Sequence, residues 1–251
     1  MKTIAVLILL VSITTVLSFG EKKNPVDSTQ SITLRKSANL RLTARFHSLG
    51  QFAYGGRIVS DNPVVDFNFN YDRKNWGLQV FKAFDIKDSQ TPINFTLAVL
   101  NKNFHFGKHL TVTPSAGFIL EQNNSFADHG SDVVLILTTA YKISKVWTVD
   151  YSGLLGNLVL ASEEKDWVNR VRLTYSKKHL DVFATCWHNN KVFDTAEYVT
   201  FGLSTFFSRV KLADGVLVNA GVSGLWMPYS NQPEEYPKKN GIIFSVAVIL
   251  D

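Results

Sequence analysis

A strict two-residue alternation of apolar and polar side chains constrains this chain more than any other feature. Val65, Phe67, Phe69 and Tyr71 share one face of an extended segment, while Asp66, Asn68, Asn70 and Asp72 share the other. Trp76, Leu78 and Val80 alternate with Gly77 and Gln79, and Ile93, Phe95, Leu97 and Val99 alternate with Asn94, Thr96 and Ala98. Leu110, Val112, Ala116, Phe118 and Leu120 oppose Thr111, Thr113, Ser115, Gly117 and Glu121. Further on, Val133, Leu135, Leu137 and Tyr141 oppose Asp132, Thr138 and Lys142; Trp147, Val149 and Tyr151 oppose Thr148, Asp150 and Ser152. Val171, Leu173 and Tyr175 oppose Arg170, Arg172 and Thr174. The pattern continues through Val199 to Phe207 and Val216 to Val222, and ends on Ile242, Phe244, Val246, Val248 and Leu250. Successive side chains of a strand point to opposite faces, so each segment is a strand with one wet and one greasy side. The stretch from Leu180 to His188 is strand-like too, but Phe183 and Trp187 leave its facing open.

Strand length narrows the fold. With one strand placed within residues 39–60, the chain yields about twelve strands of about ten residues, twice the usual length in soluble sheets and the length a tilted membrane strand needs. An even number returns both chain ends to one side. Connections alternate between tight basic turns (Arg73-Lys74-Asn75, Ser144-Lys145, Lys177-Lys178) and longer polar loops at 87–91, 122–131, 161–166, 189–197 and 228–240. Short turns on one rim and long loops on the other are the habit of outer-membrane barrels. Aromatic residues near strand ends (Tyr71, Trp76, Trp147, Tyr175, Trp226) suit interfacial girdles. The expected fold is therefore all-β: a single closed antiparallel up-and-down transmembrane β-barrel over residues 39–251. Lys82 alone breaks the greasy face, between Val80 and Phe84, and needs a bulge or a snorkelling path to the rim.

The chain start reads as a processing signal. Lys2 precedes an apolar run from Ile4 to Leu17, and Ser18-Phe19-Gly20 sets small residues before a cut ahead of Glu21. Residues 1–20 are expected to be removed on export and 21–38 to form a polar leader. No later apolar run approaches the eighteen or so residues of a membrane helix. The single cysteine, Cys186, excludes an intrachain disulfide framework. Charged residues are 19% of the chain and phenylalanine alone contributes 18, a profile suited to a surface facing lipid. The net charge of +5 is scattered and turn-borne, without a basic stripe, so nucleic acid is not an expected partner.

The segment Tyr54-Gly55-Gly56-Arg57-Ile58-Val59-Ser60-Asp61-Asn62-Pro63, followed by Val65 to Tyr71 and Trp76-Gly77-Leu78-Gln79-Val80, resembles the first hairpin of the TorF-like porins. It has Gly-Arg where that family has Arg-Gly, and it lacks the small-Trp pair of the family's third strand. The resemblance spans roughly thirty residues and implies a porin of a Gram-negative envelope. Many outer-membrane proteins also end in an aromatic residue, which resembles a tag read by the barrel insertion machinery. Here Phe244 keeps the alternation, though the sequence given ends Ile249-Leu250-Asp251.

Catalytic patterns are sparse. His47-Ser48 is the one adjacent His/Ser pair, and neighbours on a strand point apart, so the two would not meet unless they lay in a loop. His105 and His109 lie near a turn without the carboxylate or thiol partners of a metal site. No cofactor is expected. The wet face is more informative: Asp66, Asn68, Asn70, Asp72, Glu121, Asp132, Lys142, Asp150, Arg170 and Arg172 are expected to line the lumen. Opposed charges inside a closed barrel define either a selective pathway or a sealed network of paired side chains. The expected function is an outer-membrane porin passing small hydrophilic solutes. The alternatives are a non-conducting barrel serving adhesion, recognition or envelope structure through its loops, then a lipid-acting barrel enzyme, then a soluble secreted β-protein. Outer-membrane lipid is the expected surrounding.

Overall fold

The structure is a computed structural model that describes residues 39–51, 56–87, 94–120, 132–156, 158, 166–192, 196–234 and 236–250. The expected signal and leader, the loop at 122–131, Glu121, and Tyr54-Gly55 of the porin-like segment lie outside the described residues.

Fifteen strands are described: β1 Asn39–His47, β2 Gly50–Gln51, β3 Ile58–Ser60, β4 Val64–Arg73, β5 Trp76–Asp85, β6 Asn94–Lys102, β7 Phe104–Phe106, β8 Leu110–Leu120, β9 Asp132–Lys142, β10 Trp147–Gly156, β11 Asp166–Lys177, β12 Leu180–Val192, β13 Ala196–Ala213, β14 Val216–Ser230 and β15 Gly241–Leu250. Twelve form a closed antiparallel ring. Each long strand pairs with its sequence neighbours, β7 continues the line of β6 alongside β8, and β1 zips the ring shut between β4 and β15. Closure removes every sheet edge, which a bilayer demands because no water is present there to satisfy loose backbone groups.

The tight turns fall on one rim with the outer ends of β1 and β15. Lys74 and Lys178 sit at φ 55° and 51° in two of them, and Gly215, at φ 71°, serves the β13–β14 turn. On this rim the Arg209 guanidinium donates to Asp181 at 2.9 Å and to the Lys178 carbonyl at 2.6 Å, tying two turns together. Aromatic rings belt both ends of the outer wall: Trp147 lies 5.0 Å from Tyr175 near the tight turns, and Phe201 stacks 5.8 Å from Trp226 nearer the long loops. Between the belts the outer face carries exposed Leu135, Leu137, Val171, Leu173, Leu203 and Val246.

The facing of two strands corrects or completes the sequence reading. On β6, Leu97 and Val99 point into the barrel, 1% and 5% exposed, while Leu100 is outside. The alternation is present there, but its greasy side faces inward because it packs with Val64, Ala83 and Val134 against Val59 of the inner hairpin. The other side of β6 then lies outside, and Asn94 accepts a 2.6 Å hydrogen bond from the Lys82 ammonium. Lys82 therefore keeps its outward position without a bulge and is met by a polar side chain towards the long-loop rim. On β12, Phe183 and Trp187 face inward.

The described parts of the connection between β1 and β4 include two short strands. Its strands β2 and β3 form a small separate hairpin that folds into the barrel. Ile58 packs on Trp187, Leu225 and Ile243 of one wall, and its neighbour Val59 packs on the β4–β5–β6–β9 side. Gly56 allows the approach: its φ is +72°, and a Cβ there would stand 2.4 Å from the Trp187 ring. The porin-like segment is thus in part this inner hairpin, and Gly56 lies just before β3, outside any strand.

Candidate functional site in the barrel lumen

Beneath the hairpin the lumen turns from apolar to charged. Its polar residues come from alternate positions of different strands, and barrel closure brings them together. On one wall Arg45 of β1 faces Asp66 of β4 in the strand register, and its Nε donates to Asp66 Oδ1 at 2.8 Å. The second carboxylate oxygen of Asp66 lies 2.9 Å from His47 Nε2, and His47 Nδ1 lies 2.7 Å from the Ser245 hydroxyl across the β1–β15 seam. Asp66 is buried, with its side chain 5% exposed.

The other wall carries a second charged group. Arg172 Nε donates to Asp150 Oδ2 at 2.8 Å, while Arg170 Nη2 donates to Asp150 Oδ1 at 3.2 Å and to the Ser152 hydroxyl at 3.0 Å. Asp150 and Arg172 are register partners on adjacent strands, so this acid sits beside its two bases and not across the lumen from them. Each buried carboxylate thus has both oxygens engaged, a condition for keeping an ion in a partly enclosed space.

These groups partition the lumen. A cavity of about 470 Å³ is lined by polar side chains, among them Asn68, Gln79, Asn101, Thr113 and Thr138, and by apolar ones that include Phe81, Val99 and Ile136. A second, of about 330 Å³, lies against Asp66, Trp187, Ser204, Ser223 and Ser245. Arg45, Phe81, Arg170 and Arg172 line both. Arg45 lies over the Phe81 ring at 5.9 Å and Arg172 over Phe183 at 5.6 Å, so each guanidinium is held edge and face.

Of the ten residues expected in the lumen, Asp66, Arg170 and Arg172 line the cavities, Asp150 is bonded to both of those arginines, and Asn68 lines the larger cavity. Asn70 and Asp72 follow on the same face of β4 towards the tight-turn rim, where Asp72 is exposed beside Gly77. Lys142 is exposed at the same rim. Asp132 belongs to β9 opposite Ile119, and Glu121 lies outside the described residues. Sequence reasoning missed Arg45, His47 and Ser245. The alternation Arg41, Thr43, Arg45, His47 was the available signal for β1, hidden within a segment whose strand limits were undefined.

His47 and Ser48 do point apart: the Ser48 hydroxyl accepts from the Phe244 N–H on the outer side. The Asp66–His47–Ser245 chain has the donor order of a hydrolytic relay. Ser245, however, is paired on both flanks, to β1 and to β14, so neighbouring backbone N–H groups are committed to the sheet and none is left to hold an oxyanion. The chain instead fixes Asp66 under Arg45. His105 bonds the Thr111 hydroxyl and His109 the Lys142 carbonyl on the exposed rim, apart from the lumen. Among the described residues no group of three or more His, Cys, Asp and Glu is placed to hold a metal.

No family model matches the sequence, and no curated protein matches it. Solved structures do. The barrel is similar to the NanC porin, with a TM-score of 0.54 and 9% identity over 85% of this chain and 100% of that one. The fold is that of a porin-type barrel. Weaker matches are a loop-deletion mutant of OmpT, an outer-membrane protein of Vibrio cholerae (TM-score 0.42, 10% identity, 85% of this chain and 98% of that one), and OccAB3 of Acinetobacter baumannii (0.40, 10%, 84% and 64%).

Proposed function

We propose that this protein is an outer-membrane channel for small hydrophilic solutes, working without a cofactor, in which the inner hairpin narrows the long-loop mouth. The carrying observation is the lumen itself: a closed ring with a largely apolar outer wall encloses two cavities of about 470 and 330 Å³, of mixed polar and apolar lining, at its charged partition. A barrel that served only as a scaffold would gain more by filling that space with apolar side chains than by holding three arginines and two aspartates in it. In the same reading residues 1–20 direct export and are removed, 21–38 form a leader, and insertion machinery places the barrel in the outer membrane. The short segment around Arg57 fits a TorF-like porin.

One observation favours the second reading, a non-conducting barrel acting through its loops: the hairpin touches both walls of the mouth. Arg57 anchors it, with its guanidinium 4.9 Å from the Tyr236 ring and 6.0 Å from that of Tyr198. Planar-bilayer recording of the refolded mature protein separates the two. The channel reading expects discrete conductance steps, larger in Arg57→Ala. Silence from both proteins, in preparations whose barrels shift mobility on heating, would establish the scaffold.

A further inference from the structure

We infer that the paired arginines of the partition, Arg45 and Arg172, form a binding site for a small organic anion: a carboxylate head carried on an apolar or aromatic body. The inference rests on the channel reading for its physiological meaning and names the solute class of that lumen.

The argument starts from which donors are already used. Arg45 spends Nε on Asp66, and Arg172 spends Nε on Asp150. Among the described residues, no protein acceptor is found for the Nη1 and Nη2 groups of either side chain. Both arginines are a little over one-third exposed, and the space they are exposed to is the cavity pair. Their acids cannot serve a second time in the same way. Asp66 is shared with His47 and Asp150 with Arg170, so every carboxylate oxygen has its donor. What remains at the partition, among the described residues, is an excess of positive charge, three guanidinium groups against two carboxylates, and two donor forks without an acceptor.

Position makes these forks a site and not two separate surface charges. Round the ring β11 lies five strands from β1 one way and seven the other, nearly opposite. Both side chains nevertheless line both cavities, so a molecule in either cavity has both guanidinium groups on its walls. A guanidinium fork matches the two oxygens of a carboxylate, a geometry a lysine ammonium cannot reproduce. The flanking surfaces set the rest of the ligand. Phe81 lies under Arg45 and Phe183 under Arg172, so an anion held by either fork has an aromatic wall beside it. A simple inorganic anion would leave those walls unused; an organic carboxylate covers them.

Benzoate is the probe that carries both features, and benzamide is its uncharged counterpart. Titration calorimetry on the refolded mature protein is expected to show benzoate binding at least tenfold more tightly than benzamide. Arg45→Gln and Arg172→Gln should each weaken benzoate about tenfold or more, the loss expected for one charge-assisted contact. Lys145→Gln, which removes an exposed turn charge away from the lumen, should leave the affinity unchanged. If a Gln variant fails to fold, Arg45→Lys and Arg172→Lys keep the charge beside Asp66 and Asp150 but remove the fork, and a loss of affinity is again expected. Equal affinity for benzoate and benzamide, or unchanged binding in the arginine variants, would overturn the site. Reversal potentials in a salt gradient keep the two readings apart. Binding without any conductance supports the site and rejects the channel. Conductance without anion preference or benzoate binding rejects the site and leaves the channel.

Discussion

Replacing Leu137 by Arg probes the outer wall where it is most sensitive. Leu137 is 48% exposed and stands five residues from either end of β9. A rise of about 3.4 Å per residue along a strand tilted by about 40° puts it roughly 13 Å from each end of the strand, the middle of an apolar band about 25 Å tall. An arginine at that depth costs about 2–4 kcal/mol. The next residue supplies the control. Thr138 points the other way, lining the 470 Å³ cavity with its hydroxyl 2.9 Å from that of Ser152. Thr138→Arg gives up that neutral hydrogen bond, about 0.5–1.5 kcal/mol, and places its charge in a water-accessible lumen. Leu137→Arg should therefore be the more damaging by about 0.5–3.5 kcal/mol, the difference of those two costs. Urea unfolding in lipid vesicles, followed by tryptophan emission and by the heat-dependent gel shift, measures both. Equal losses, or a larger loss for Thr138→Arg, would mean that the outer face of β9 does not meet hydrocarbon.

Three further outcomes follow from particular positions. Leu97→Ala should cost about 2–5 kcal/mol because Leu97 is buried inside the barrel, whereas Leu100→Ala, at 51% exposure on the outer face, should cost under about 1 kcal/mol; matched unfolding curves decide it. Gly56→Ala combines a positive φ with a Cβ placed in the Trp187 ring, so it should loosen the inner hairpin, seen as faster proteolysis of the β1–β4 connection and a lower unfolding midpoint; an unchanged protein would show that the hairpin is not held as described. Asp150→Asn leaves Arg170 and Arg172 without their shared carboxylate and should move the reversal potential towards anions while lowering the unfolding midpoint; no movement in a conducting protein would show that these charges do not face the pathway.

The charged side chains of the lumen gather where strand neighbours and barrel neighbours coincide. The β1–β15 seam brings His47 to Ser245 over a sequence separation of 198 residues, and the same strand places Arg45 on Asp66. The seam that closes the barrel therefore also builds one half of its charged partition. The other half is local to the β10–β11 hairpin, where Asp150 pairs with Arg172 in register.

Much of this was written in the alternation. Contact with lipid favours an apolar outer face, so Leu135, Leu137 and Val171 on one side and Thr138, Ser152 and Arg170 on the other are readable residue by residue. Arginines at 170 and 172 share a face because the strand period is two, and they point inward because hydrocarbon cannot hold them. What alternation does not carry is the identity of an apolar inner face. Leu97 and Val99 look like lipid-facing residues, yet they face the lumen because Val59 of a distant hairpin lies there to pack on them. Nor does it carry the contents of the barrel. The inward placement of β3 depends on Gly56, at positive φ, meeting Trp187, and the partition depends on which strands closure sets opposite one another. Local pattern follows from the contrast between lipid and water at each strand. The plug and the paired charges are contacts between strands far apart in the chain, and only the closed ring brings them within reach.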